Sequence, residues 1–209
     1  MLYHTCRGTL FHVTSTTRRR TPSADVSDRL VAAAVALLDE AGPDALTVRG
    51  VAERAEVSPT GVYNHLDGKD GILSALFVMG FEDLRTALDA IDVDDPVDAM
   101  LEGGRRYRAL ALRHPGRYAL MFEGSGGRWQ PTDADRDHAV SGFQALERRV
   151  AAGQATGRFR PGRPTEVAQL VWSAVHGHVS LELRGLLFVE DADESFEHLL
   201  KMVVAGITA

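Results

Sequence analysis

A chain of 209 residues allows one large domain or a small one joined to a larger, and 44% hydrophobic with 25% charged residues predicts a packed core rather than a disordered chain. The net charge of −6 speaks against a nucleic-acid coat protein or a membrane-surface binder, and no apolar run approaches the roughly 18 residues of a spanning helix. The single cysteine, Cys6, excludes an internal disulfide and a Cys-based zinc site, so a reducing, cytoplasmic setting is expected.

Residues 1–24 carry Arg7, Arg18, Arg19 and Arg20 and no acid, which leaves −10 on the remainder. Polar residues interrupt the early apolar stretch and the arginine triplet stands where a cleavage site would be needed, so export is not expected. This leader reads either as a disordered basic tail or as an arm able to enter a DNA minor groove. From Ser27 the pattern is helical and an all-α protein is predicted. Ser27 caps a first helix with Asp28 in its first turn, Leu30, Ala34, Leu37, Leu38 and Ala41 form its apolar stripe, and Gly42-Pro43 stops it. Thr47 caps a short second helix reaching about Ala55, and Ser58, followed by Pro59, caps a third. Asp67-Gly68 breaks the chain before an amphipathic helix beginning near Lys69. Further helices are predicted at about 96–113, 115–123, 133–153, 164–188 and 194–208, separated by Pro115, the 124–131 loop, the stretch from Gly153 to Pro164 and the acidic turn at 190–194. The expected organisation is a three-helix helix-turn-helix domain at 25–70 and a larger helical bundle at 71–209.

Two short helices joined only by Glu56 and Val57 have the shape of a helix-turn-helix, whose second helix enters the DNA major groove. Ala52 is small where the helices approach, and Val51, Ala55, Val57 and Val62 are spaced to face a common core. Glu56 sits at the turn, where glycine would be the easier residue. The stretch Leu46-Thr-Val-Arg-Gly-Val-Ala-Glu-Arg-Ala-Glu-Val-Ser-Pro-Thr-Gly-Val-Tyr-Asn-His-Leu-Asp-Gly-Lys-Asp-Gly-Ile-Leu73 resembles the DNA-binding domain of the TetR family of bacterial transcriptional regulators. The likeness covers about 50 residues including the first helix. It rests on the Leu-Thr entry, the Val-Ala pair, Val-Ser after the turn, Tyr-x-His near the end of the recognition helix, and the lysine that follows.

The resemblance implies that Thr47, Tyr63, His65 and Lys69 bond phosphates, and that Arg49, Pro59, Thr60, Gly61 and Asn64 meet base edges, with Ser58 at the head of the recognition helix. The residue types suit those tasks: hydroxyl, imidazole and ammonium groups bond phosphate oxygens, Arg pairs with guanine, Asn with adenine, and Pro or a Thr methyl touches a thymine methyl. Taken singly, Tyr63 also suits a core aromatic with a wet hydroxyl, Asn64 a cap, and His65 a surface histidine. Lysine occurs only at 69 and 201, so 21 of the 23 basic residues are Arg, yet Lys69 stands where the family has a lysine. Two positions depart from the family pattern: Leu66 where an aromatic is usual and Gly71 where an acid is common. The stretch from Leu46 to Leu73 sums to −1, so the whole-chain acidity is an average over parts with different jobs.

The helix near 164–188 is apolar on more than one face. Val167, Leu170, Val171, Ala174, Val175 and Leu181 form one stripe, with Trp172, Val179, Leu183 and Leu186 elsewhere. Ser173, Gly177 and Ser180 would let helices approach. With the final helix, which carries Phe196, Leu199, Leu200, Val203 and Val204, it predicts a homodimer contact. Such a twofold suits recognition helices about 34 Å apart on a palindromic double-stranded operator. Trp172-Ser-Ala-Val-His176-Gly177 resembles the Trp-x-x-x-His-Gly element of one C-terminal subgroup of these regulators, and His114-Pro115 with Tyr118 and Met121-Phe122 also fits. Tyr107, Met121, Phe122, Trp129, Phe143, Trp172 and His176 are candidate walls of a pocket for a small apolar or aromatic effector.

His178 and Glu182 share a helical face but His176 points differently, and His114 and His138 lie elsewhere, which is too few ligands for a closed zinc site. No metal or cofactor is expected. No phosphate-cradling loop or serine elbow appears, so an enzyme is not expected either. The expected function is a sequence-specific, homodimeric transcriptional repressor released from its operator by that effector. The alternative is a helical small-molecule-binding or enzymatic protein whose N-terminal domain is structural only.

Overall fold

The structure, a computed structural model, describes residues 23–42, 45–124 and 129–209. The basic leader up to residue 22, and with it the arginine arm, lies outside the described residues, as do Pro43 of the first helix stop and positions 125–128 of the 124–131 loop. The described residues form nine helices: α1 (Ser23–Ala41), α2 (Val48–Arg54), α3 (Pro59–Leu66), α4 (Gly68–Asp89), α5 (Pro96–Arg113), α6 (Pro115–Phe122), α7 (Asp133–Ala155), α8 (Pro164–Leu183) and α9 (Ala192–Ile207). An isolated bridge joins Phe159 to Thr208, and among the described residues there is no strand. No helix among them is long and apolar enough to cross a membrane.

Side-chain caps set most helix starts. Thr47 Oγ1 accepts from the Gly50 amide at 3.0 Å and Ser58 Oγ from that of Gly61 at 3.1 Å. Asp95 accepts from the Val97 and Asp98 amides at 2.8 and 3.2 Å, and Thr132 and Asp135 form a reciprocal capping box. Each satisfies amides that a helix start leaves open.

Two boundaries differ from the sequence reading. α1 begins at Ser23, with Asp25 supplying the acid of its first turn, so Ser27 is an interior residue and not a cap. α8 ends at Leu183 rather than near 188 because Gly185 turns left-handed at φ 65°. Gly185 N donates to Glu182 O at 3.0 Å and Leu186 N to Leu181 O at 2.9 Å, the paired bonds of a Schellman motif. Leu186 therefore lies beyond the helix.

Three apolar clusters organise the interior. The first joins Leu30, Ala34 and Leu38 of α1 to Val51, Ala52 and Val62 of the short helices, and is closed by Ile72, Leu73 and Leu76 of α4 and Leu120 of α6. The second gathers Leu84 and Leu88 of α4 with Tyr107, Tyr118, Val179 and Phe196. The third centres on Met100, Val150, Phe159, Val171 and Val204. The boundary drawn at residue 70 falls inside the 22-residue α4, whose first turns belong to the head and whose later turns belong to the bundle.

Candidate nucleic-acid interface and ligand cavity

The α2–α3 turn is built as its residue types foretell. Val51, Ala52, Ala55 and Val62 are buried between the helices, and Val57 packs against them. Glu56 adopts φ 55°, a left-handed conformation that costs a non-glycine residue about 1–2 kcal/mol. Val57 N donates to Ala52 O at 2.9 Å, and Arg29 of α1 donates to the Ala55 and Glu56 carbonyls. The strained turn is thus held from outside by a cation that satisfies the α2 C-terminal carbonyls.

Around this turn Thr47, Arg49, Ser58, Pro59, Thr60, Tyr63, Asn64 and Lys69 are exposed, whereas Gly61 and His65 are half-buried. Tyr63 is 59% exposed, so a core role for its ring is excluded. Its ring lies over Gly68, where a Cβ would come within 2.8 Å of it. The Thr47 hydroxyl accepts from Gly50 and keeps its own proton to donate. Arg54 is held by Glu40 at 2.5 Å, while Arg49 and Lys69 make no ion pair among the described residues. Gly61 has a packing reason to be glycine, because a Cβ there would lie 2.3 Å from Val57 Cγ1.

Gly71, one of the two departures from the family pattern, lies against the backbone of the other, Leu66. A Cβ at Gly71 would stand 1.4 Å from the Leu66 carbonyl oxygen. No acid or any other side chain fits at 71 with α3 and α4 joined this closely.

The bundle contains a partly open cavity of about 410 Å³, within the range of small-molecule sites. α4 lines it with Phe77, Phe81, Leu84 and Leu88, α5 with Met100, Gly103 and Tyr107, and α6 with Met121 and Phe122. α7 contributes Phe143, Leu146 and Arg149, and α8 contributes Trp172 and Val175. Behind this wall, Tyr107 Oη and Tyr118 Oη lie 2.9 and 2.8 Å from His176 Nδ1. Burial raises both phenol pKa values and lowers that of the imidazole, so two protonated phenols meet a neutral ring whose Nδ1 forms one hydrogen bond at a time with either of them.

The comparisons with known proteins follow the same division. Residues 30–76 match the model described as bacterial regulatory proteins, tetR family, and residues 100–203 match the tetracyclin repressor-like C-terminal domain. The chain belongs to the TetR family. It is similar to the HTH-type transcriptional regulator Rv0681 of Mycobacterium tuberculosis, with 28% identity over 181 residues covering 86% of this chain and 80% of that one. Among solved structures, a Rhodococcus sp. RHA1 protein superposes with a TM-score of 0.79 at 24% identity, covering 88% of this chain and 96% of that one. A TetR variant from Acinetobacter baumannii in complex with minocycline superposes at 0.61 with 24% identity, covering 85% and 93%. This chain is therefore a TetR-family helix-turn-helix transcriptional regulator.

Of the seven side chains expected around a TetR-family effector, Tyr107, Met121, Phe122, Phe143 and Trp172 line the cavity. Trp129 does not. Its ring packs edge-on against Phe77, 5.8 Å between centroids, at the border of the head cluster. His176 stands one layer back, bonded to the tyrosines. The sequence reading overlooked Arg149, a polar residue on an otherwise apolar stripe that only the packing of α7 against α4 brings to the wall. His178 and Glu182 also have other engagements. His178 packs against Phe196, and Glu182 takes two bonds from Arg108 at 2.7 and 2.6 Å.

Burial lowers the pKa of both His176 and His178, so the unfolded chain takes up protons before the folded one. Their contribution to stability is complete above about pH 6.5 and is lost progressively as the pH falls below it. Urea unfolding at pH 7.5, 6.5 and 5.5 is expected to give a midpoint that drops toward acid, and a smaller drop in His176→Gln. An equal drop in both proteins would exclude His176 as a source.

Proposed function

We propose that the chain is a homodimeric repressor that leaves its operator when a small apolar or aromatic molecule enters the bundle cavity. The observation that carries this reading is that α4 and α6 each touch both the cavity and the DNA-binding head. α4 places Ile72, Leu73 and Leu76 in the head cluster and Phe77, Phe81 and Leu84 on the cavity. α6 turns Met121 and Phe122 to the cavity, while at its other end Gly116 packs on Leu38 of α1 and His114 Nδ1 lies 3.2 Å from Asp39 Oδ2. Arg117 ties α6 to Asp83 of α4 at 2.6 Å. A molecule that wedges Met121 and Phe122 away from Phe81 therefore displaces helices on which the head rests. It shifts the equilibrium away from DNA by its differential affinity for the two arrangements.

The dimer reading draws on one face. Leu170, Ala174, Gly177 and Leu181 recur at helical spacing along α8, with Leu170 70% and Leu181 44% exposed. Met202 on α9 is 67% exposed. A Cβ at Gly177 or Gly206 would meet nothing within 4 Å, which leaves room for a second backbone. Paired with a copy of itself, this face becomes a four-helix contact and sets two recognition helices on neighbouring turns of a palindrome.

On the DNA, Thr47, Ser58, Tyr63, His65 and Lys69 hold phosphates, and Arg49, Pro59, Thr60, Asn64 and the backbone at Gly61 meet base edges. The head (25–70) and bundle (71–209) act as reading and sensing units. Band-shift titration separates these roles. Tyr63→Phe with Lys69→Ala is expected to weaken binding about equally across sequences and to reduce the slope of log affinity against log salt by about 1. Asn64→Ala is expected to cost about 1–3 kcal/mol at one base pair and to relax preference there. Unchanged operator binding in both variants would leave the head a purely structural domain.

A further inference from the structure

The effector cavity proposed above is long and charged at one end only. Phe77 and Leu88 both line it and are eleven residues apart on α4, about 16 Å along the helix. Among the described residues Arg149 is the one formally charged side chain on its wall. Arg149 donates to the Leu88 carbonyl, which fixes the guanidinium at the Leu88 end, while Phe77, Pro131 and Ala139 furnish an apolar opposite end.

That guanidinium is poorly compensated. Among the described residues no carboxylate pairs with it, and Asp89, whose charge it feels, is already bound by Arg85 at 3.0 Å and Arg148 at 3.4 Å. Burial, aided by the positive charges of Arg106 and Arg148, lowers its pKa. One of its five N–H groups serves Leu88 and the others retain donor capacity. A half-buried cation beside an apolar chamber is relieved most by an anion that arrives with its own apolar body, since a carboxylate can take two parallel bonds from a guanidinium.

Resting on the effector reading, we infer that the ligand is an elongated apolar molecule with a carboxylate at one end, seated with that carboxylate on Arg149 and its apolar end toward Phe77. Arg149 is then the residue that selects an anionic effector over a neutral one of the same length.

Trp172 lines the cavity and Trp129 does not, so in a Trp129→Phe background the fluorescence of Trp172 alone reports occupancy. Dodecanoate, dodecanol and dodecylammonium are titrated into the full-length protein below their aggregation thresholds. Dodecanoate is expected to bind about ten- to a hundred-fold more tightly than dodecanol, with dodecylammonium weakest. Arg149→Gln keeps an uncharged N–H donor on the side chain and Arg149→Met keeps none. Both are expected to bring the dodecanoate-to-dodecanol ratio close to one, a change that loss of an α4 cap alone would not produce. Equal binding of dodecanoate and dodecanol by the parent, or a ratio preserved in both variants, overturns the assignment of Arg149 while leaving the cavity as an effector site. Failure of all three probes to move Trp172 overturns the cavity reading itself.

Discussion

Leu170→Glu combined with Met202→Glu is expected to convert the protein to a monomer and to lower operator affinity by about 10²- to 10⁴-fold, the range lost when two linked binding events become independent. Both side chains project from α8 and α9 with 70% and 67% of their surface exposed, so the monomer fold does not depend on them. In a dimer through this face the change removes four buried apolar side chains, each of which contributes about 1.5–3 kcal/mol. It also sets four carboxylates against one another in a low-dielectric contact. The helical circular dichroism and the cavity should be preserved, because no residue of the cavity wall or the head is altered. Sedimentation velocity with a band shift on the same sample checks the result. An unchanged dimer mass would place the interface elsewhere.

Gly71→Ala is expected to destabilise the head by at least about 3 kcal/mol, the upper end of the usual cost of an overpacked site. The new methyl would stand 1.4 Å from the Leu66 carbonyl oxygen, and that obstacle is backbone, not the tip of a flexible side chain. Relief requires α3 to move away from the start of α4. That motion would lift Tyr63 off Gly68 and carry the recognition helix with it. DNA affinity should therefore fall together with the denaturation midpoint. By contrast, Gly142→Ala lies in ordinary contact with Phe81 at 3.6 Å and should leave the head unaffected. Equal stability of the Gly71 and Gly142 variants would contradict the close approach at the α3–α4 junction.

The elements most legible in the sequence were those fixed by local chemistry. Thr47, Ser58 and the prolines at 59, 96, 115 and 164 set helix starts because a cap bond or a fixed φ acts within three residues. Glu56 was legible for the same reason: its place between two helices demanded a left-handed turn whatever the residue. Gly185 offered an equally local signal, and the apolar run Leu186-Leu187-Phe188-Val189 masked it by continuing the look of a buried helix.

The cavity was less legible because its wall is a tertiary product. Trp129 and His176 have the residue types of a pocket lining. One is turned to Phe77, and the other is held behind Tyr107 and Tyr118 by partners 69 and 58 residues away. Arg149 has the type of a surface residue and reaches the wall where α7 packs on α4 and its guanidinium donates to the Leu88 carbonyl. The reason for Gly71 lay outside its local sequence, because the backbone carbonyl that excludes a side chain there belongs to Leu66 across the junction of α3 and α4.

Selection of random duplex oligonucleotides by the full-length protein at moderate salt tests the central claim most directly. The expected outcome is one enriched palindromic site, with half-site centres about 34 Å apart or a multiple of that spacing, whose recovery falls when a cavity ligand is added. Binding without sequence preference, or no recovery of DNA, would contradict the assignment of Thr47 to Lys69 as a reading surface governed by the bundle.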